Sequence, residues 1–349
     1  MGSQSTGDKL NILIGSPLEQ AQVARIAAAA PDRANVLYEP DLLPTIRYQA
    51  DHHGIRRRLN EADRARWQGL LAAADIMFDF DWMAPEKLPI MAPRLRWVQA
   101  TSAGIGEFLQ RFDLLQTSIL FTTASGVHAK PLAEFTLLGL LYFSRNVPRL
   151  LREQAAHKWE RYANSDLPGR RVMVVGLGGV GKAVAQACAN LGMEVWGTKR
   201  SPDSATPAGV GKLIAQKDLL AALPQMDALV LACPLTPATR HMIGAQELAA
   251  LPPSAILVNI GRGGLIDEPA LVDALRNNKL AGAALDVFAT EPLPEDSPLW
   301  DLSNVLVSPH SASTVDSENG RIVDIFIENL GRFLSGQKLI NEFSREHGY

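Results

Sequence analysis

The sequence predicts an α/β protein made of two Rossmann-like or flavodoxin-like domains, each built on a parallel sheet. Three observations carry that expectation. Short apolar runs alternate with helical periods over the first third of the chain. The alternation restarts, more strongly, just after residue 170, and the restart carries a glycine-rich turn between an apolar run and a helix. The chain has 349 residues, which suits two domains of about 150 each.

The elements follow in order. Asn11-Ile12-Leu13-Ile14-Gly15 reads as a buried strand, and residues 18–30 as an alanine-rich helix stopped by Pro31. A helical stretch over 62–74 leads into a second strand, Asp75-Ile76-Met77-Phe78. A third, Leu95-Arg96-Trp97-Val98-Gln99, runs into the small-residue loop Thr101-Ser102-Ala103-Gly104-Ile105-Gly106. A long helix is expected from 131 to 159, interrupted at Pro148, and then a polar loop over 162–169. Strands follow at 171–175, 194–198, 228–232, 256–260, 283–287 and 305–308, the last running into Pro309-His310. A final helix spans 317–334.

Composition excludes several classes. Lys plus Arg is 34 against 37 for Asp plus Glu, a net charge of −3, so the basic excess of a nucleic-acid surface is missing. A 47% hydrophobic and 20% charged chain has ample core and is not disordered. Its two cysteines, Cys188 and Cys233, form neither a disulfide scaffold nor a metal cluster, and they fit a reducing, cytoplasmic setting. No run approaches the roughly 18 apolar residues of a membrane span. Residues 1–7 lack the charged start and apolar core of a secretory signal and read as a tail.

The restart holds the first chemistry. Val172-Met173-Val174-Val175 leads into Gly176-Leu177-Gly178-Gly179-Val180-Gly181, a G-x-G-x-x-G turn between strand and helix. Gly176 permits the tight turn, Gly178 lets backbone approach a pyrophosphate, and Gly181 lets the helix pack on the strand. Gly179 and Val180 place their amides at the helix start, where phosphate is favoured. The next strand ends Gly197-Thr198-Lys199-Arg200-Ser201, where a dinucleotide site for NAD usually has an acidic residue. Lys199 or Arg200 instead suits a 2′-phosphate. The expected cofactor is therefore NADP(H), with NAD(H) the alternative and a solvated basic pair the plainer reading.

Three further strand ends carry a cation, a carboxylate and a histidine: Val258-Asn259-Ile260-Gly261-Arg262, Leu285-Asp286-Val287-Phe288-Ala289-Thr290-Glu291, and Val307-Ser308-Pro309-His310. Reduction of a 2-oxo acid needs those parts: a cation for the carboxylate, an acid for the carbonyl oxygen, and a partner that keeps the acid protonated. Each residue alone reads more readily as a structural one, since structural ion pairs are common, and their co-occurrence with the glycine turn tips the balance.

The stretches GLGGVGKAVA, PLTPATRHMI, NIGRGGLIDEPALVDAL, LDVFATEPLPEDSPLW and SPHSA, in order from Gly176 to Ala312, resemble the D-isomer-specific 2-hydroxyacid dehydrogenase family, with weaker similarity back to Trp97. The resemblance implies that Arg262 anchors the substrate carboxylate, His310 exchanges the proton, and Glu291 pairs with His310. It implies cofactor contacts from Thr198, Lys199, Arg200, Ser201, Cys233, Pro234, Thr239, Ile260 and Gly261, with Asp286 on the nicotinamide carboxamide. It implies that amides of Ser102, Ala103 and Gly104 hold the substrate carboxylate. Gly106 departs from the family, whose members often carry Asp there. Asp81-Trp82-Met83 is read as packing, and His128, next to a domain crossing, as structural because His310 already has the carboxylate partner.

The motif order places a dinucleotide-binding domain, residues 124–309, inside a substrate domain made of 1–123 and 310–349. His310 then stands at the return crossing, which makes the cleft between domains the expected active site. The apolar helix that begins near Glu134 is expected to form a two-fold homodimer, as in the family. The expected substrate is a small 2-oxo acid such as glyoxylate or hydroxypyruvate, and no metal, nucleic acid or membrane is expected. A dinucleotide-sensing binding protein, like the corepressors that resemble this family, is the alternative function. A methyltransferase would have no need of Arg262, Glu291 and His310 in sequence.

Overall fold

The computed structural model describes residues 9–199 and 205–346. They divide into two compact units, one of residues 9–127 with 314–346 and one of residues 128–199 with 205–313. The sequence reading set the crossings a few residues earlier, at 123/124 and 309/310. Packing explains the difference. Ala124 and Val127 are buried in the core of the first unit, while the backbone of Ala312 bonds to Asp286 in the second. His310 therefore lies within the same unit as the glycine turn.

In the first unit, β1 (Leu10–Ile14), β2 (Ala34–Leu37), β3 (Ile76–Phe78), β4 (Trp97–Gln99) and β5 (Leu120–Thr122) form a parallel sheet in the order β2-β1-β3-β4-β5. Helices cover both faces, so β3 and β4 are buried throughout and read as apolar runs. One face packs on the helix Glu61–Ala73, whose start is capped by Asn60 accepting from Asp63 N at 2.9 Å. The other packs on the helices Gln20–Ala29 and Glu318–Leu334. There Trp97 stacks on Phe326 at 5.0 Å and on Phe333 at 5.6 Å, and Phe78 meets Phe326 edge-on at 5.5 Å.

In the second unit, β6 (Arg171–Val175), β7 (Glu194–Lys199), β8 (Lys212–Ala215), β9 (Ala228–Leu231), β10 (Ile256–Asn259), β11 (Gly282–Leu285) and β12 (Val305–Val307) are parallel in the order β12-β11-β10-β9-β6-β7-β8. The helix Ala129–Ser144 lies against β10 and β11. A Cβ on Gly139 would stand 2.6 Å from that of Ala284, and one on Gly282 would stand 2.4 Å from the Phe143 ring, so helix and sheet meet at backbone distance. The long helix expected over 131–159 is two helices, Ala129–Ser144 and Val147–Ala155. The break falls before Pro148, because proline fits the first turn of a helix and Asn146, at φ +51°, makes the corner. Among the described residues, no helix is long and apolar enough to cross a membrane.

Both sheets present their carboxyl edges as a row of loops, and every polar strand end noted in the sequence falls on one of them. The Phe326 ring is the joint of the first unit's helical face. Phe326→Ala is expected to lower its unfolding free energy by about 3–5 kcal/mol, seen as a lower urea midpoint at unchanged slope. A loss under about 1 kcal/mol would mean that the stack carries no weight.

Candidate active site

The glycine turn follows β6 as its spacing requires. Gly176 takes φ +91°, and a Cβ there would stand 2.7 Å from that of Cys233. A Cβ on Gly181 would stand 1.8 Å from the Gly176 carbonyl oxygen, which forces the helix Gly179–Asn190 down onto the turn. Gly178 differs, because a Cβ there would meet open space. The turn is thus closed behind by Gly176 and Gly181 and open in front at Gly178. The amides of the first helical turn lack partners within the helix, and with the helix dipole they favour a phosphate. These residues fit a dinucleotide pyrophosphate.

Thr198, nearly buried at the end of β7, accepts from Gly176 N at 3.3 Å and ties the turn to the second strand. Lys199 closes that strand and donates from Nζ to Ala205 O at 3.2 Å. Arg200 and Ser201 lie outside the described residues. Beyond β9, burial pushes the Cys233 thiol up to about 11, so it is inert and serves as packing behind Gly176. Thr239 closes the next loop, its Oγ1 donating to Pro234 O at 2.8 Å and accepting from Thr236 N at 2.8 Å.

Arg262 is exposed at the end of β10, with Nη1 donating to Gly261 O at 2.8 Å. Asn259, the buried last residue of β10, spends its whole amide on this loop: Nδ2 donates to Arg262 O at 3.0 Å and Oδ1 accepts from Gly261 N at 3.1 Å. Ile260 is buried beside it. Gly263 seats the loop on the neighbouring one, where a Cβ would stand 1.9 Å from the Phe288 carbonyl. That neighbour carries Glu291, whose Oε1 accepts from Phe288 N at 3.0 Å. Glu268 braces it from the next helix by accepting from Ala289 N at 2.9 Å.

Glu291 Oε2 lies 2.7 Å from His310 Nδ1. With Nδ1 taken, Nε2 is the ring atom left to exchange a proton with a ligand. His310 sits in the left-handed region at φ +56°. Asp286, buried just past the end of β11, holds a side chain before it and the backbone after it: Oδ1 accepts from Ser308 Oγ at 2.6 Å and from Ala312 N at 3.0 Å. The hydrogen bond to Glu291 pushes the His310 imidazole above its ordinary value, against partial burial. Burial pushes the Glu291 carboxyl up, but the bonds from His310 and Phe288 and the charges of His310 and Arg262 outweigh it and hold it low. Among the described residues, no group of acidic, histidine or cysteine side chains is arranged to hold a metal.

The second unit therefore gathers the glycine turn, Thr198, Lys199, Cys233, Thr239, Arg262, Asp286, Glu291 and His310 on one sheet edge. In the first unit, Ser102, Ala103 and Gly104 form an exposed loop after β4, anchored by Ala124 N donating to Ser102 O at 3.0 Å. Asn259, Ser308 and Glu268 were not singled out from sequence. The signal for the first two is a polar residue at or just past the end of an otherwise apolar strand.

The Glu291–His310 pair fixes a pH dependence. Because the folded His310 value is raised, its contribution to stability is full below its ordinary value near 6.5 and fades as pH rises through the folded value. Because the folded Glu291 value is lowered, its share is full above its ordinary value near 4.5 and fades as pH falls through the folded value. Both shares are present together between the two. Titration of the His310 ring by NMR is expected to give a value above 6.5 in the wild type and a lower one in Glu291→Gln. Equal values in the two proteins would show that Glu291 does not set the imidazole.

A sequence-family model of the D-isomer specific 2-hydroxyacid dehydrogenase NAD binding domain matches residues 137–312. The glyoxylate reductase of Korarchaeum cryptofilum is 33% identical over 262 residues, 72% of this chain and 77% of that protein. Glyoxylate/hydroxypyruvate reductase B of Pectobacterium carotovorum is 35% identical over 253 residues, 70% of this chain and 78% of that protein. A D-isomer specific 2-hydroxyacid dehydrogenase of Xanthobacter autotrophicus, crystallised with NADPH and MES, superposes with a TM-score of 0.78 at 28% identity, covering 98% of this chain and all of that one. With the glycine turn, the seven-stranded parallel sheet and the ordered strand-end residues in place, the chain belongs to the D-isomer specific 2-hydroxyacid dehydrogenase family, oxidoreductases that act on 2-hydroxy acids.

Proposed function

We propose that the protein reduces a small 2-oxo acid to the D-2-hydroxy acid with NADPH, with His310 as proton donor, Glu291 as its partner and Arg262 as the substrate anchor. The observation that carries this reading is the 2.7 Å contact of Glu291 Oε2 with His310 Nδ1 on the same sheet edge as Arg262 and the glycine turn. When bound, the reduced nicotinamide supplies a hydride to the substrate C2. Arg262 offers a planar fork of donors that fits a carboxylate and polarises the adjoining carbonyl. His310 Nε2 gives its proton to the carbonyl oxygen and ends neutral, and in the reverse direction it takes the proton back. Glu291 keeps the imidazole charged near neutral pH, so the proton is on hand when reduction begins.

Glyoxylate and hydroxypyruvate are the proposed substrates, supported by the names of the relatives in Korarchaeum and Pectobacterium. The Ser102, Ala103 and Gly104 amides are proposed to hold the substrate carboxylate, and Asp286 the nicotinamide carboxamide with its second oxygen. The preference for NADPH rests on Lys199 at the end of β7 and on the NADPH bound by the Xanthobacter protein. A homodimer is proposed through the helices Ala129–Ser144 and Val147–Ala155, whose Leu138, Leu141, Leu150 and Leu151 are exposed. The two buried free thiols suit a cytoplasmic setting.

NADPH oxidation with a panel of 2-oxo acids tests the reaction. His310→Ala is expected to lower kcat by about 10²- to 10⁴-fold. Near-normal turnover in that variant would end the assignment, and turnover far below about 1 s⁻¹ on every acid in the wild type would favour a sensor. Asn259→Ala is expected to raise KM more than it lowers kcat, since it loosens the Arg262 loop without touching His310. Higher kcat/KM with NADPH than with NADH is expected, and equality or reversal would remove the role given to Lys199. Light scattering is expected to give a dimer that Leu150→Asp weakens, and a wild-type monomer would refute it.

A further inference from the structure

Two successive amides after β11 serve two different carboxylates. Phe288 N donates to Glu291 Oε1 at 3.0 Å, and Ala289 N donates to Glu268 Oε2 at 2.9 Å. The first bond folds the loop on itself and sets where the Glu291 carboxylate sits. The second reaches across to the segment that follows Arg262. Among the described residues, it is the one hydrogen bond from the Phe288–Pro292 backbone to another element. Phe288 is anchored in the core, but Ala289, Thr290, Glu291 and Pro292 are exposed. Packing therefore does little to hold the stretch that carries Glu291.

Glu268 is itself firmly placed. It opens the helix Glu268–Arg276, whose start is capped by Asp267 Oδ1 accepting from Ala270 N at 3.3 Å. The chain before it is tied to the loop that follows β9: Ile243 N donates to Leu265 O at 3.1 Å, and Asp267 N to Ile243 O at 3.0 Å. Leu265 and Ile266 are buried in the same core as Phe288. At the head of this segment, Gly263 lies against the Phe288–Ala289 peptide. A Cβ on it would stand 1.9 Å from Phe288 C and O and 2.5 Å from Ala289 N. One peptide unit is thus gripped twice by one well-tied segment, by contact at Gly263 and by a hydrogen bond at Glu268. Contact resists only an approach of the two chains. Their separation is resisted by the bond.

The charges that act on the His310 ring are the carboxylates of Glu291 and Asp286 and the guanidinium of Arg262. Asp286 has tethers of its own at Ser308 and Ala312, and Asn259 holds the backbone of Arg262. Glu291 has Phe288 in its own loop and His310 itself, so its distance from the ring depends on how that loop is held. We propose that Glu268 is a positioning residue for the reaction, holding the Phe288–Ala289 peptide so that Glu291 stays within hydrogen-bond reach of His310. The inference rests on the reading of His310 as proton donor. Glu268 works by reach rather than by charge, since a neutral oxygen at the same place accepts the Ala289 hydrogen as well.

Two substitutions in the full-length protein separate reach from charge. Glu268→Gln keeps an acceptor oxygen at the same reach and loses the charge. Glu268→Asp keeps the charge at the helix start and is one methylene short. In NMR titration of the ligand-free protein, the proton affinity of His310 is expected to stay within about 2-fold of wild type in Glu268→Gln. In Glu268→Asp it is expected to weaken about 3- to 10-fold, toward that of Glu291→Gln. With NADPH and glyoxylate, the pH above which the rate falls should move down in Glu268→Asp. There kcat should fall more than KM rises, the reverse of the split expected for Asn259→Ala. A shift in Glu268→Gln alone, or equal behaviour of the two variants, would overturn the proposal. So would a lower urea midpoint in Glu268→Asp with titration and pH profile unchanged, which would leave the bond a purely structural one. Should Glu268→Asp fail to fold, Glu268→Ala, which suits any helix position, replaces it with the same expectations. Should the wild type reduce no 2-oxo acid, the reductase reading fails on its own. The titration, which needs neither cofactor nor substrate, then decides whether Glu268 holds the pair.

Discussion

The 2.7 Å contact between Glu291 and His310 is the constraint around which the second unit's carboxyl edge is arranged. A half-exposed pair of this kind gains little from charge alone, since solvent screens it. Its geometry must come from the backbone that holds each partner. Phe288 N and Glu268 fix the loop of Glu291, Asp286 fixes the chain on both sides of His310, and Gly263 lets the Arg262 loop seat on the Glu291 loop without a side chain between them. One buried carboxylate and one buried amide at strand ends, Asp286 and Asn259, thus hold the more exposed Arg262 and His310 in place.

The same logic links fold to cofactor. A parallel sheet needs helices on both faces, so its strand ends are the one place where polar side chains meet open space. Gly176 and Gly181 permit that edge to close tightly behind a phosphate, and Gly178 leaves the front open. Near-zero net charge for the chain as a whole conceals this local arrangement. The two cations proposed to meet ligand, Lys199 and Arg262, stand at single strand ends rather than in a basic surface.

The parts legible in the sequence were those carried by one continuous stretch. The glycine turn and the ordered Arg262, Glu291 and His310 needed only strand ends, which short apolar runs announce, including the edge strand β12 before His310. The edge strands β2, β5 and β8 were missed, because each pairs on one side only and carries exposed or polar residues such as Asn35, Leu120 and Lys212. Pro148 marked the break to within a few residues, because proline fits the first turn of the second helix rather than the interior of a longer one. The crossings shifted because a few loop residues pack on one core or the other, which periodicity does not record.

The central claim is that Glu291 sets the protonation of His310 and that this proton enters the reaction. The most direct test is the rate of NADPH consumption with glyoxylate from about pH 5 to 9, compared between the wild type and Glu291→Gln with NADPH and its C4-deuterated form. The account predicts a rate that is flat at low pH and falls about tenfold per pH unit above a break. The break should move to lower pH in Glu291→Gln, with an isotope effect that grows as the chemical step becomes limiting. A break at the same pH in both proteins, or a rate indifferent to pH in the wild type, would contradict it.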